Sequence, residues 1–431
     1  MQNQRRNFLS KVGKAAGAIT IGSWLDPFNA LAIDEAFERV QSLSPNAVAE
    51  DEDFWRWVRQ CYTLNYDIIN LNNGGVSPQP KVVQDAFENF NRTSNFGPSY
   101  YMWRIIDQGR EPLRRELAEL AGCSAEEVVV NRNATEALET IIFGLNLKEG
   151  DEIVLCKYDY PNMKNAWLQR EKRDKIKLVW VDLPVPAEND DEIVSIYEKA
   201  FTSKTKVVHV THVINWTGQI LPVRKIADKA HAKGIEVLCD GAHSFAHIDY
   251  KIPDLGCDYF GTSLHKWLCA PFGSGMMYIK KEKIKNIWPL FGNDNPQSED
   301  IRKFESQGTR SFATEQAIRN AIEFHLIIGS GRKQQRLQFL KTYWTEKVKD
   351  VPKVKFYTSM KPEYSCALFN IGIEGVTNPW EIENQLFNDY KIHVTSVNHE
   401  AVIGVRITPH IYTSLRDLDL LVKAIKEIAA K

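Results

Sequence analysis

The chain has 431 residues, 43% of them hydrophobic and 25% charged, a make-up that excludes disorder and collagen-like repeats and points to a folded globular protein. Lysine plus arginine (54) nearly equals aspartate plus glutamate (55), so no whole-chain field draws the protein to nucleic acid or to an anionic membrane. No apolar run approaches the roughly 18 residues of a membrane-spanning helix, and at roughly 150 residues per domain the length suggests two or three domains. Seven cysteines (Cys61, Cys123, Cys156, Cys239, Cys257, Cys269, Cys366) are too sparse for a disulfide scaffold, and none form a CxxC pair.

Residues 1–32 differ from the rest. Arg5, Arg6, Lys11 and Lys14 flank or enter a weakly apolar Gly/Ala-rich stretch that ends in a small-x-small site, Ala30 and Ala32. This segment resembles a twin-arginine export signal, which implies a periplasmic protein that folds before it is exported. The other reading is a basic N-terminal helix on a cytoplasmic protein. Residues 33–70 read as a helical segment carrying EDEDFWRWVRQCY, followed by the turn-forming NNGGVSPQP and the helical VVQDAFENFNR.

From PLRRELAELAG onward, short β-branched runs alternate with amphipathic stretches. EEVVVN, DEIVLC, KIKLVWVDLP, KVVHVTHV, IEVLCD, CDYFGTSLH and GSGMMYIKK read as strands, separated mostly by helices such as ATEALETIIFGLN and RKIADKAHAKG. Such alternation predicts an α/β domain over 71–330, with a mostly parallel sheet covered by helices. Beyond residue 330 a long helix, the strands CALFNIGI, KIHVTSV and GVRIT, and a closing helix predict a smaller C-terminal α+β domain over 331–431. Ligands of parallel sheets bind at the carboxyl ends of the strands, so chemistry is sought there.

Asp240 ends the strand IEVLC, and Lys266 follows the next strand in SLHKW. Both side chains therefore emerge at one sheet edge. A carboxylate buried there needs a cation or strong donors, and a lysine held in apolar surroundings favours its amine, the nucleophilic form that adds to carbonyls. Taken singly, each also fits a strand-end salt bridge or a surface lysine. NRNATEALE places Asn133, Ala134 and Thr135 at a helix start after a strand, an anion site by its free N–H groups, though neither a Walker loop nor GxGxxG. Tyr160 in DYPN, Asn215 in HVINWTG and Arg406 in GVRIT also lie at strand ends or on a strand, and an arginine there suits capture of a carboxylate.

Taken in order, NATEA, DYPN, HVINWTG, DGAH, SLHKW, QGTR and VRITPHIYTS resemble the class V branch of the fold-type I pyridoxal-phosphate (PLP) enzymes, which includes isopenicillin N epimerase-like proteins, aminotransferases and cysteine desulfurases. The resemblance covers residues 70–420. It implies that Lys266 bonds the cofactor and later moves the substrate Cα proton, and that Asp240 keeps the pyridine nitrogen protonated. His243 and Asn215 would lie near the ring's phenolic oxygen, and Tyr160 would stack on the ring where many relatives place a histidine. Ala134, Thr135, Ser263 and His265 would bind the phosphate, joined by Thr309 from a neighbouring subunit, which implies a homodimer with shared sites. Arg406 would grip the substrate carboxylate, with Asn73 lining the substrate side. Desulfurases carry a nucleophilic cysteine shortly before that arginine, whereas HVTSVNHEAVIG (393–404) has none, and Cys366 lies forty residues upstream of Arg406.

The expected function is a PLP enzyme acting on an amino acid or an amino-acid-bearing metabolite, most simply by transamination, with epimerisation or racemisation and then β-elimination as alternatives. A different class, a metallohydrolase, would use Asp240, His243 and His247, the histidines spaced i and i+4 as on a zinc-binding helix, with Asp249 nearby. A non-catalytic PLP-fold binding protein is a third reading, against which the retained Lys266 and Asp240 count.

Overall fold

The computed structural model describes residues 35–431, so the expected export signal lies outside the described residues. Thirteen strands carry the architecture: β1 (Ile69–Asn70), β2 (Val128–Asn131), β3 (Glu152–Cys156), β4 (Lys177–Val181), β5 (Thr205–Thr211), β6 (Glu236–Asp240), β7 (Tyr259–Ser263), β8 (Gly275–Ile279), β9 (Val354–Phe356), β10 (Phe369–Ile373), β11 (Ile392–His393), β12 (Thr395–His399) and β13 (Val402–Ile407).

Seven strands form one sheet in the order β2-β8-β7-β6-β5-β3-β4. The four pairings from β7 to β4 are parallel, and β8 runs antiparallel to both β7 and β2. The central β-branched runs are apolar at most positions because both faces are covered, whereas the edge strand β4 leaves Lys177 and Trp180 exposed. Pleating sends Val128 and Val130 into one core cluster and Val129 into the other, and divides Val208 and Val210 from Val207 in the same way. One of these layers includes Leu138 and Ile141 of helix Ala134–Gly144 and Trp167 of helix Pro161–Asp174.

The smaller unit is an antiparallel sheet, β12-β13-β10-β9, with helices Ser330–Val348 and Leu415–Ala430 burying Leu340, Trp344, Leu418 and Leu421 against it. β1 pairs with β11 in parallel, and Leu71 belongs to the same cluster. The segment entering the large sheet is thus tied first to the small unit, a pairing across more than 300 residues that no local pattern announces. Gly218 joins the two units closely: its φ is +74°, and a Cβ there would lie 1.9 Å from Leu368 O. Among the described residues no helix is long and apolar enough to cross a membrane.

Candidate active site

The carboxyl ends of β7, β6, β5 and β3 bring Lys266, Asp240, Asn215 and Tyr160 to one edge of the sheet, in that order across it. Lys266 sits in the turn after β7, with Nζ 3.1 Å from His243 Nε2. Burial pushes its pKa down to about 8; Asp240 acts against the shift and the Arg406 charge adds to it. Its amine is therefore accessible near neutral pH.

Asp240 is 4% exposed. Its one hydrogen bond is from Ala242 N to Oδ1 at 2.9 Å. Burial raises its pKa, while the Ala242 N–H and Lys266 hold the shift back. A buried carboxylate with a single donor is suited to a cationic N–H placed before it. His243, three residues past the end of β6, is held well below its ordinary pKa by burial and then by Lys266, Arg406 and His247, so the imidazole is neutral. With Nε2 accepting from Lys266, the proton lies on Nδ1, which has no partner.

Asn215 and His212 follow β5. Asn215 Oδ1 and His212 Nδ1 are both buried without partners, and the Asn215 carbonyl accepts Arg406 Nη1 at 3.0 Å. Arg406 comes from β13 of the small unit. Its Nη2 donates to Asn72 Oδ1 at 3.0 Å, its Nε has no partner, and no carboxylate pairs with it among the described residues. Burial lowers its pKa to about 10 against the influence of Tyr160, so it remains a cation without a counter-ion. Tyr160 precedes helix Pro161–Asp174 and is 39% exposed.

At the other end of the site, helix Ala134–Gly144 begins directly after β2. Asn133 Oδ1 caps it by accepting Glu136 N at 2.8 Å, and Ala134 N donates to Ser263 Oγ at 3.0 Å. The Thr135 N–H is one of the first-turn donors that lack an intrahelical partner. Gly275 on β8 lets this turn approach, since a Cβ there would lie 2.6 Å from Asn133 N and Cα. His265 is anchored through Nδ1 to Ser274 O at 2.9 Å and burial lowers its pKa to about 4, so its ring is neutral. Thr309 is exposed on the loop before helix Phe312–Ile328 and joins this cluster through no hydrogen bond.

Two sequence expectations change. Asn73 is fully buried, with its amide committed to the chain: Nδ2 donates to Asn70 O and Thr408 O, and Oδ1 accepts from Tyr412 and Asn70. Its neighbour Asn72 makes the contact with Arg406 instead. The metal reading fails because residues 241–248 form turns rather than a helix, with Ala246 at φ 59°. Both His247 nitrogens are engaged, Nδ1 by His243 O and Nε2 by Ala367 N. No group of three or more metal-ligating side chains converges among the described residues.

Motif reading also missed Asp159, a buried carboxylate beside Tyr160 that accepts Thr211 Oγ1 and Cys156 N, each at 2.7 Å. Burial lifts its pKa to about 7. Its position two residues past the turn start at a strand end was the available signal.

Buried polar atoms without partners are costly and rare. Among those of the described residues are Asn215 Oδ1, His243 Nδ1 and Arg406 Nε, on residues joined by the Lys266–His243 and Arg406–Asn215 contacts or following the same strand ends. A phosphate at the helix start, a basic ring nitrogen before Asp240, an aldehyde carbon for Lys266 and a substrate carboxylate for Arg406 would each meet a group suited to it. PLP fits these residues. The fold and site together define a PLP-dependent enzyme of fold type I.

The sequence matches the family described as Aminotransferase class-V over residues 69–421, and the chain belongs to that family. It is 25% identical over 393 residues to isopenicillin N epimerase of Streptomyces clavuligerus, covering 88% of this chain and 99% of that protein. It is 27% identical over 386 residues to a probable cysteine desulfurase of Halalkalibacterium halodurans, covering 84% and 93%. Among solved structures, the apo cysteine desulfurase of Thermococcus onnurineus superposes with a TM-score of 0.77 at 24% identity, covering 88% of this chain and 98% of that one. The cystine C-S lyase C-DES in complex with cysteine persulfide gives 0.75 at 19%, covering 84% and 98%. A C-DES variant with glycine covalently linked to its PLP cofactor gives 0.76 at 18%, covering 86% and 99%.

Proposed function

We propose that the protein removes the Cα proton of an amino acid, or of a metabolite carrying one, and returns a proton to the opposite face, as an epimerase or racemase. The observation that carries this reading is the placement of two proton-bearing groups on separate strand ends, Lys266 after β7 and Tyr160 after β3, with Asp240 and Asn215 between them. Similarity to isopenicillin N epimerase over nearly its whole length favours this reading over transamination, the simplest expectation from the motifs.

Bound PLP supplies an electron sink for the charge left on Cα when its proton departs. Arg406 holds the substrate carboxylate, with Asn72 and the Asn215 carbonyl fixing the guanidinium plane. Asp240 holds a proton at the pyridine nitrogen. Lys266, with an amine available near pH 8, takes the Cα proton, and neutral His243 beside it accepts a hydrogen bond without competing for that proton. The Tyr160 hydroxyl delivers the second proton. The protein acts as a homodimer in which the partner subunit's Thr309 completes the phosphate site, and residues 1–32 direct its export to the periplasm.

β-Elimination is a second reading, favoured by similarity to proteins that cleave C–S bonds, among them the hercynylcysteine sulfoxide lyase of Schizosaccharomyces pombe, 21% identical over 394 residues. Desulfuration through a protein thiol is disfavoured: no cysteine lies between residues 393 and 407, and burial raises the thiols of Cys61, Cys123 and Cys366 to about 12.

The test is turnover in deuterium oxide with analysis of Cα label, configuration and amino-group retention. Epimerisation gives deuterated product of inverted configuration with nitrogen retained, and Tyr160→Phe keeps the exchange while losing most of the inversion. Oxo-acid formed in proportion to turnover would defeat the proposal, and ammonia release with loss of a β-substituent would establish elimination in its place.

A further inference from the structure

Beyond Arg406 a chain of contacts runs through the turn after β5, the end of β12 and helix Pro161–Asp174. The residue after Asn215 is Trp216, whose indole stacks on the His399 imidazole with ring centroids 4.5 Å apart. His399 ends β12 of the small unit, and its Nε2 lies 3.0 Å from Lys157 O and 3.2 Å from Lys164 Nζ. Lys164 is one helical turn past Tyr160, its N–H bonded to the Tyr160 carbonyl at 3.1 Å, and Tyr160 is the group whose charge reaches Arg406. Contacts therefore run from Arg406 through Asn215, Trp216 and His399 to Lys164, which the helix joins to Tyr160.

The charge on this rim is unbalanced. Lys164 Nζ donates to Lys157 O at 2.9 Å, and no carboxylate of the described residues lies within ion-pair distance of it, although the charges of Glu400 and Asp159 reach it. When His399 Nε2–H donates to Lys157 O it cannot also accept from Lys164, and two of the three ammonium protons then have no acceptor among the described residues. Trp216 Nε1 is also buried without an acceptor. Burial lowers the pKa of Lys164 and of His399, and the charge of Glu400 acts against the shift at both.

We propose that Lys164 and His399 form a second anion subsite, which receives the distal carboxylate of an acidic amino-acid side chain while Arg406 holds the α-carboxylate. The inference rests on the reading of Arg406 given above and narrows the substrate class to amino acids with an acidic side chain. Helical geometry sets Lys164 about 6 Å along the axis from Tyr160, a span that a side chain of two or three methylenes bridges. The Trp216 indole, stacked on His399, lies next in sequence to Asn215, whose carbonyl holds Arg406. His399 comes from the small unit, so a substrate reaching both sites also ties β12 to helix Pro161–Asp174.

The test is equilibrium binding to the purified holoenzyme, read by tryptophan fluorescence, of glutarate and of valerate, five-carbon acids with two carboxylates and one. Neither carries an amino group, so binding is measured apart from any turnover. Glutarate is expected to bind at least tenfold more tightly, with the preference falling toward unity in Lys164→Met and persisting in Lys164→Arg. Equal affinities in the unaltered protein, or an undiminished preference in Lys164→Met, would overturn the subsite while leaving the epimerase reading intact. Arg406→Met is expected to weaken both ligands; unchanged binding of both would remove the α-carboxylate site and the subsite with it. Deuterium exchange at Cα reports separately on proton removal.

Discussion

With Lys266 as the proposed cofactor-bonding group, its amine should set the pH at which the protein captures PLP. An ordinary lysine, near 10.5, is roughly 0.03% amine at pH 7, whereas one near 8 is roughly 9%, a difference of about 300-fold in nucleophile. The cause is burial, opposed by Asp240 and reinforced by Arg406. Removing Arg406 as Arg406→Met therefore raises the midpoint, and removing the Asp240 charge as Asp240→Asn lowers it. The assay is to strip the protein of PLP, mix it with excess PLP from pH 6 to 10, and follow the appearance of visible absorption. The rate should rise through pH 7 and level off above about pH 8. A rate still climbing tenfold per pH unit between pH 9 and 10 would refute the claim that the site disfavours the ammonium. In Lys266→Ala the lysine-dependent absorption should be absent at every pH.

Three further outcomes concern the scaffold. The Arg114 side chain is fully buried and meets both oxygens of Glu305 at 2.7 Å while bonding Val128 O; Arg114→Ala leaves that carboxylate buried and should cost about 3–5 kcal/mol in urea unfolding, and a loss below about 1 kcal/mol would contradict this. Gly218→Ala forces a Cβ against Leu368 O at a positive φ and should lose about 2–4 kcal/mol, measured as a lower unfolding midpoint. His209, His212, His247 and His265 have folded pKa values of about 3 or 4 against an ordinary 6.5, set chiefly by burial. The unfolded chain binds more protons between those values, so each removes about 1.4 kcal/mol of stability per pH unit as pH falls from about 6.5 toward 4. Asp159, raised to about 7, acts in the opposite sense and is outnumbered. Far-UV circular dichroism should show cooperative unfolding in that interval, and a native spectrum with unchanged melting temperature at pH 4 would count against it.

Local pattern carried much of the fold. Strand runs such as IEVLCD and KVVHVTHV are legible because a strand covered on both faces must be apolar at nearly every position, and the helices between them because one stripe must face that sheet. The rule that ligands meet parallel strands at their carboxyl ends then singled out Asp240 and Lys266 from their chain positions alone. The antiparallel course of β8 beside β7 was not legible, since GSGMMYIKK is equally apolar in either direction. The i and i+4 spacing of His243 and His247 misled because periodicity assumes a helix, whereas the backbone from Gly241 to Ile248 turns instead.

By itself the sequence determined the alternation of elements, the strand-end positions of the lysine and carboxylate, and the helix start at Ala134 after β2, because each depends on neighbours within a few residues. Tertiary structure alone decided which groups face one another across long stretches of chain: Asn72 rather than Asn73 on Arg406, Arg406 on the Asn215 carbonyl, and His399 against Trp216 and Lys164. Those contacts join the small sheet to the large one. Side-chain direction there follows from how two separately folded layers dock, a packing result that no periodicity along the chain encodes.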